Sequence, residues 1–269
     1  MITRITRNTI NELTIQPIIM NIPNYPSFFY TFHTAEPVSI GRLQEDYLES
    51  TEPIHGGYVL LTSEQIQTCP AVEYLTSVKR LVDMYLHLMK AVQLLNDASI
   101  LHLRICFKHI VFKDGVLPLL QGFEHATTVA SPDAMLSRPI ECRAIKYILT
   151  NRLASISMSS ILDICRDNKE EQTFLSGYIN KPSTFIIESL LSRANTWNVY
   201  SLNELILGLL NNPLRPNSFL AKWKACLEEG TVSGERRCPA YFIAQTLALM
   251  RETDISELMG ATTSSATLL

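Results

Sequence analysis

The chain has 269 residues, of which 46% are hydrophobic and 18% charged, and its formal net charge is −3. Such a composition excludes an intrinsically disordered chain and leaves enough apolar residues for a sizeable core, in one medium domain or two small ones. The slight excess of acid excludes broad nonspecific nucleic-acid binding, which needs a basic surface.

In chain order, TINELTIQPIIM (9–20) predicts a helix capped by Asn8 or Thr9, with Ile10, Leu13 and Ile18 as a rough apolar stripe and Pro17 weakening its second half. IPNYPSFFYTF (22–32) reads as a loop entering a strand, and YVLLTSEQI (58–66) opens as a short buried strand behind Gly56 and Gly57. TSVKRLVDMYLHLMKAVQLLNDAS (76–99) is the clearest helix, because Val78, Leu81, Val82, Tyr85, Leu88, Met89, Val92 and Leu95 share one face. HIVF (109–112) and VLPLL (116–120) flank a KDG turn and predict a hairpin. Beyond residue 138 the pattern is helical, over 141–153, 159–179, 183–194, 199–211, 218–230 and 241–255. A front piece (1–75), a helical lobe (76–255) and a disordered tail (256–269) are the expected divisions.

The six cysteines, at 69, 106, 142, 165, 226 and 238, form no CxxC pair. Their wide spacing fits reduced, mostly buried thiols in a cytoplasmic-type compartment better than a zinc site or a disulfide scaffold. MITRITRNTINEL lacks the apolar region of a signal peptide, and no run of about 18 apolar residues predicts a membrane span. GERRC (234–238) is too short for a nucleic-acid footprint, and the apolar face of RLVDMYLHLMK (80–90) is needed by the core.

The stretches NELTIQPIIMNIPNYPSFF (11–29), ILHLRICFKHIVF (100–112), LPLLQGFEHA (117–126), RPIEC (138–142), TWNVYSLNELILGLL (196–210) and NNPLRPN (211–217) follow one another in an order that carries a family likeness. Together, over roughly residues 9 to 225, the chain resembles the protein-kinase superfamily from its regulatory helix onward. The likeness is most specific to the divergent Ser/Thr kinase-like proteins of giant DNA viruses. It implies an α+β, protein-kinase-like fold with a truncated, partly stranded N-lobe and a mainly α-helical C-lobe.

Phosphoryl transfer needs a base-like aspartate, metal-binding aspartate and asparagine, and a lysine on the phosphates. In the slots implied by the resemblance, His102 keeps the first residue of the HRD triplet, but Arg104 replaces its aspartate. Cys106 stands for the catalytic-loop lysine, His109 for the magnesium-binding asparagine, and Gln121 for the DFG aspartate. Glu12 is the regulatory-helix glutamate candidate, yet no lysine precedes Lys79 and no GxGxxG occurs. Only eleven residues precede Glu12, too few for the three strands that roof a nucleotide. Scaffold positions survive: Glu141 and Arg215 match a structural ion pair, and Asn198 replaces the aspartate that opens the central helix, where it is placed to cap that helix and accept backbone donors.

The resemblance therefore implies a catalytically inactive, pseudokinase-type binding or scaffold protein with no cofactor and no metal. Its expected partner is a protein, an active kinase or its substrate, with self-association through apolar strand edges. Neither nucleic acid nor membrane is expected, and the compartment implied is the cytoplasm (of a host, for a viral protein) or the virion. The alternative is a divergent Ser/Thr kinase using ATP and magnesium, with Glu124 or Asp133 substituting for Gln121. Retained adenine binding without catalysis is weighed against the missing strands and lysine. Two further readings come from residue types alone. His102, His109 and His125 with Cys106 are zinc-type ligands at no recognised spacing, and Cys106 beside Lys108 and His109 is a nucleophile candidate.

Overall fold

The structure, a computed structural model, describes residues 2–7, 11–38, 58–64, 77–128, 140–210, 218–229, 231 and 238–259. The chain forms a helix-rich mixed fold with small sheets. The front piece holds strand β1 (Ile2–Arg7), helix α1 (Glu12–Met20), strand β2 (Thr34–Val38) and strand β3 (Tyr58–Ser63). These strands make a three-stranded antiparallel sheet in the order β1-β3-β2. Ile2 pairs with Ser63 and Arg7 with Tyr58, while Thr34 pairs with Thr62.

Two of these strands, β1 and β2, were not anticipated from the sequence. One strand precedes Glu12: four of the six residues of ITRITR are β-branched, and the segment finds an open ladder on β3. β2 contains Glu36 and Pro37, which a sheet tolerates at an edge, and β2 is an edge. The sheet thus draws one strand from before α1 and two from after it.

Helix α2 (Val78–Asp97) is the axis of the larger core. Ser77 caps it, accepting from the Arg80 amide at 3.3 Å. All eight residues of the predicted face are buried, and Met84 and Ala91 join them. Each large apolar side chain so buried contributes about 1.5–3 kcal/mol before chain entropy is counted. Strands β4 (Ile100–Leu101), β5 (Ile110–Lys113), β6 (Leu117–Leu120) and β7 (Thr127–Thr128) follow. β5 and β6 form the expected hairpin, with Asp114 and Gly115 in its turn at φ 52° and 68°. The segment after α1 docks beside it: the Tyr30 amide donates to Leu120 O, and the Leu120 amide to Phe28 O, both at 2.9 Å.

The back half comprises α3 (Ile140–Thr150), α4 (Met158–Cys165), α5 (Lys169–Ser176), α6 (Ser183–Leu191), α7 (Trp197–Leu210), α8 (Ser218–Glu229), α9 (Pro239–Glu252) and α10 (Ile255–Met259). One helix was expected over 159–179, and two are found. Arg166 takes φ 52° and breaks the first; Asn168 caps the second by accepting from the Glu171 amide at 3.2 Å. α10 lies at the start of the stretch expected to be a disordered tail, and its Leu258 joins the larger core.

Two hydrophobic clusters result. The larger gathers α1, α2, the hairpin, α7, α8 and α9; the smaller gathers α3 to α6. Between them, residues 100 to 105 send Ile100 and Ile105 to the larger cluster and Leu101 and Leu103 to the smaller. Trp197 and Val199 at the start of α7 divide in the same way. Among the described residues no helix is long and apolar enough to cross a membrane.

Candidate functional site

The loop 102–109 and the turn 121–125 face each other and are fastened side chain to backbone. Asn198, fully buried in the first turn of α7, holds the start of the loop. Its Oδ1 accepts from the His102 amide at 2.8 Å, and its Nδ2 donates to Ile100 O at 2.8 Å and Asn96 Oδ1 at 3.0 Å. The cap role expected for Asn198 is therefore replaced by a clamp: the side chain turns away from its own helix and accepts the loop's backbone donor. Leu103, next in line, is held at φ 62°, a left-handed conformation costing a leucine about 1–2 kcal/mol.

His102 is fully buried, and its ring lies 4.9 Å from that of Phe123. Burial lowers its pKa to about 4, so the ring is neutral at pH 7. Its Nε2 lies 2.9 Å from Gln121 O and donates to it, while Nδ1 has no partner among the described residues. The sign of the pH effect follows. The folded value lies below the ordinary 6.5, so the stabilisation is complete above pH 6.5 and is lost as pH falls toward 4. The unfolding free energy should fall by about 2.5 kcal/mol between pH 7.5 and pH 4.5 in the native chain. His102→Gln, which keeps a donor but does not titrate, should be flat by comparison; a parallel decline in both chains would refute the assignment.

His109 is also buried. Its Nδ1 is 2.5 Å from Arg104 O, and its Nε2 is 3.3 Å from Glu124 Oε1. Both ring nitrogens therefore face oxygen acceptors. The hydrogen bond from His109 holds the Glu124 carboxyl down at about 2. Cys106 Sγ sits 3.4 Å from the same Nδ1. The ring packs face-on to the turn, where Gly122 at φ 80° is required twice. A left-handed backbone favours glycine, and a Cβ there would lie 2.4 Å from His109 Cδ2.

Gln121 uses its side chain on the loop itself, donating from Nε2 to Lys108 O at 3.1 Å, and its amide donates to His109 O at 2.8 Å. Arg104 is exposed and donates from Nη1 to His125 Nε2 at 2.9 Å. Burial foremost lowers the pKa of His125, and the Arg104 guanidinium acts in the same direction. The three histidines and Cys106 do not converge as ligands: His102 points to a carbonyl, His109 to a carbonyl and a carboxylate, His125 to a guanidinium. No group of three metal-ligating side chains occurs among the described residues.

Glu12 is buried at the start of α1, which packs against the Phe123–His125 turn. Gln16, one turn on, accepts from the Phe32 amide at 3.1 Å and donates to the Phe32 carbonyl. Glu141 is fully buried, and the Arg193 Nε lies 3.8 Å from its Oε1. Arg215 and Asp133 lie outside the described residues. The sequence reading missed Glu124 as the partner of His109, and Gly122 as the residue that admits the ring. The one signal for both was a glycine directly after Gln121 and an acid two residues further.

No protein-family model matches the chain. No curated protein matches it. Among solved structures, it is similar to the crystal structure of a rhoptry antigen kinase domain from Toxoplasma gondii, with 12% sequence identity and a TM-score of 0.47, over 93% of this chain and 74% of that one.

Proposed function

We propose that the chain is a protein-kinase-like domain that has given up phosphoryl transfer and works as a binding or scaffold protein. One observation carries this reading. The resemblance assigns the two metal-holding positions to His109 and Gln121, and both are spent on protein contacts. His109 reaches across to Glu124, and Gln121 reaches back to Lys108 O. A buried imidazole joined to a carboxylate thus fastens two segments that, in a phosphoryl-transfer site, a divalent cation and its carboxylate would organise. The slot for the base-like aspartate presents Arg104, a cation directed at His125. The loop 102–109 itself carries no carboxylate to accept a proton from a hydroxyl.

The partner expected is a protein, an active kinase or one of its substrates. Exposed apolar side chains on the back half suit that role: Met158 and Leu162 lie one turn apart on α4, and Phe185 lies on α6. Self-association through the edges of the β1-β3-β2 sheet belongs to the same reading.

The test is thermal unfolding with ATP and with ADP, each with and without magnesium. A ligand at a hundred times its Kd adds about 2.7 kcal/mol, a shift of several degrees. No shift at millimolar nucleotide is the expected result. A magnesium-dependent rise that disappears in Glu124→Gln would replace this reading with that of a divergent kinase whose metal ligands have moved.

A further inference from the structure

We propose that the cleft between α3 and α4 binds a small zwitterion with an apolar body, of which a free α-amino acid with an apolar side chain is the simplest. The cleft has a volume of about 310 Å³, within the range of small-ligand sites. Its lining includes no residue of the loop 102–109 or of the turn 121–125. One wall is a stripe of α3: Arg143, Lys146, Tyr147 and Thr150 recur at helical spacing and so share a face, with Asn151 just beyond the helix end. Asp163 and Ile164 of α4 form the other wall.

Several polar groups of the lining are already engaged. Arg143 is paired with Glu171 of α5 and donates from Nη1 to Ile164 O at 3.4 Å. The Tyr147 hydroxyl donates to Asp163 Oδ2 at 2.8 Å and so ties the two walls together, while Asn151 Nδ2 donates to Tyr147 O at 2.8 Å. The groups that remain decide the ligand. Lys146 is exposed and has no charged partner among the described residues, so the α3 wall presents an uncompensated ammonium, with the Thr150 hydroxyl one turn further on. On the α4 wall, Asp163 keeps one carboxylate oxygen with no partner among the described residues. The buried Ile164 and the half-buried Tyr147 ring supply the apolar surface.

A cation on one wall and a carboxylate on the other complement a molecule that carries both charges within a few bonds of each other. A simple anion would be drawn to Lys146 and repelled by Asp163, and a simple cation would meet the reverse; each like-charge meeting counts against that ligand. An α-amino acid answers both walls. Its carboxylate faces Lys146 and Thr150, its ammonium faces Asp163, and its side chain covers Ile164 and Tyr147. A peptide carries its two terminal charges far apart, so the ligand is the free molecule. The cleft is separate from the loop site, and this inference stands whether or not the fold is that of a kinase.

The test is a saturation-transfer NMR titration of the full chain with L-phenylalanine. A Kd on the order of 1 mM is expected for a ligand of this size. N-acetylphenylalanine, which lacks the ammonium, and phenylalanine amide, which lacks the carboxylate, should each bind about tenfold more weakly. Lys146→Met and Asp163→Asn should each weaken phenylalanine by about tenfold. Both positions are exposed, and the asparagine keeps an oxygen for Tyr147, so both variants should fold as the native chain does. The losses should also be specific: Lys146→Met should no longer distinguish phenylalanine from its amide, and Asp163→Asn should no longer distinguish it from the N-acetyl form. No transfer to phenylalanine at about 10 mM, or a Kd that neither variant changes, or capped forms that bind as tightly as phenylalanine, would overturn the proposal.

Discussion

Gly122→Ala is expected to lower stability by about 3–5 kcal/mol, the largest effect of any single methyl group added at the site. Two costs add. The φ of 80° puts the alanine in a left-handed conformation, worth about 1–2 kcal/mol. The new Cβ then meets His109 Cδ2 at 2.4 Å and Cγ at 2.7 Å. The ring has no free direction of escape, because Arg104 O holds one nitrogen and Glu124 the other. Moving it breaks buried hydrogen bonds, at about 1–3 kcal/mol for each group left without a partner. The two costs separate in a double-mutant cycle. In a His109→Ala background the ring is gone, and Gly122→Ala should cost only the conformational part, about 1–2 kcal/mol. Urea unfolding of the four chains checks this. Equal costs in both backgrounds would mean that contact with His109 is not what glycine serves.

Asn198→Asp should be about as damaging as Asn198→Ala, at roughly 3–4 kcal/mol, although aspartate is the residue that the kinase resemblance places there. The reason is a count of donors. The carboxylate still accepts from the His102 amide, but it has no proton for Ile100 O or Asn96 Oδ1. Two oxygens then face a buried anion. Because burial and those oxygens raise the new carboxyl's pKa above its unfolded value, protonation relieves the defect. The gap between Asn198→Asp and the native chain should therefore narrow as pH falls, while the gap for Asn198→Ala does not narrow by that route. A gap for Asn198→Asp that is constant from pH 8 to pH 4.5 would show that the donor count is not the cause.

Some of this was legible in the residues and some was not, for physical reasons. α2 was readable because eight apolar side chains repeat at helical spacing over five turns, and that periodicity needs no partner to be recognised. The hairpin was readable from KDG, which supplies two residues tolerant of positive φ. β2 was not, because Thr34–Val38 has a proline, a glutamate and no apolar alternation; it is a strand only because β3 offers it a ladder. The break at Arg166 was hidden for a similar reason, since an arginine at positive φ carries no glycine to announce it. At the site, the hairpin brings the loop before it beside the turn after it, and that hairpin was legible. The bond from His109 to Glu124 was not, because it joins residues fifteen apart through a turn whose shape depends on one left-handed glycine.

The seam between the two hydrophobic clusters has a consequence for cooperativity. Residues 100 to 105 send Ile100 and Ile105 into one cluster and Leu101 and Leu103 into the other, and Trp197 and Val199 divide between the two in the same way. Neither cluster can open without withdrawing half of that seam's anchors. The amide of His102, bonded to Asn198 in the middle of it, is therefore protected only while both halves are closed. The loop inherits the lower of the two local stabilities. A partner that clamps either half would tighten the loop from a distance, with no contact to it.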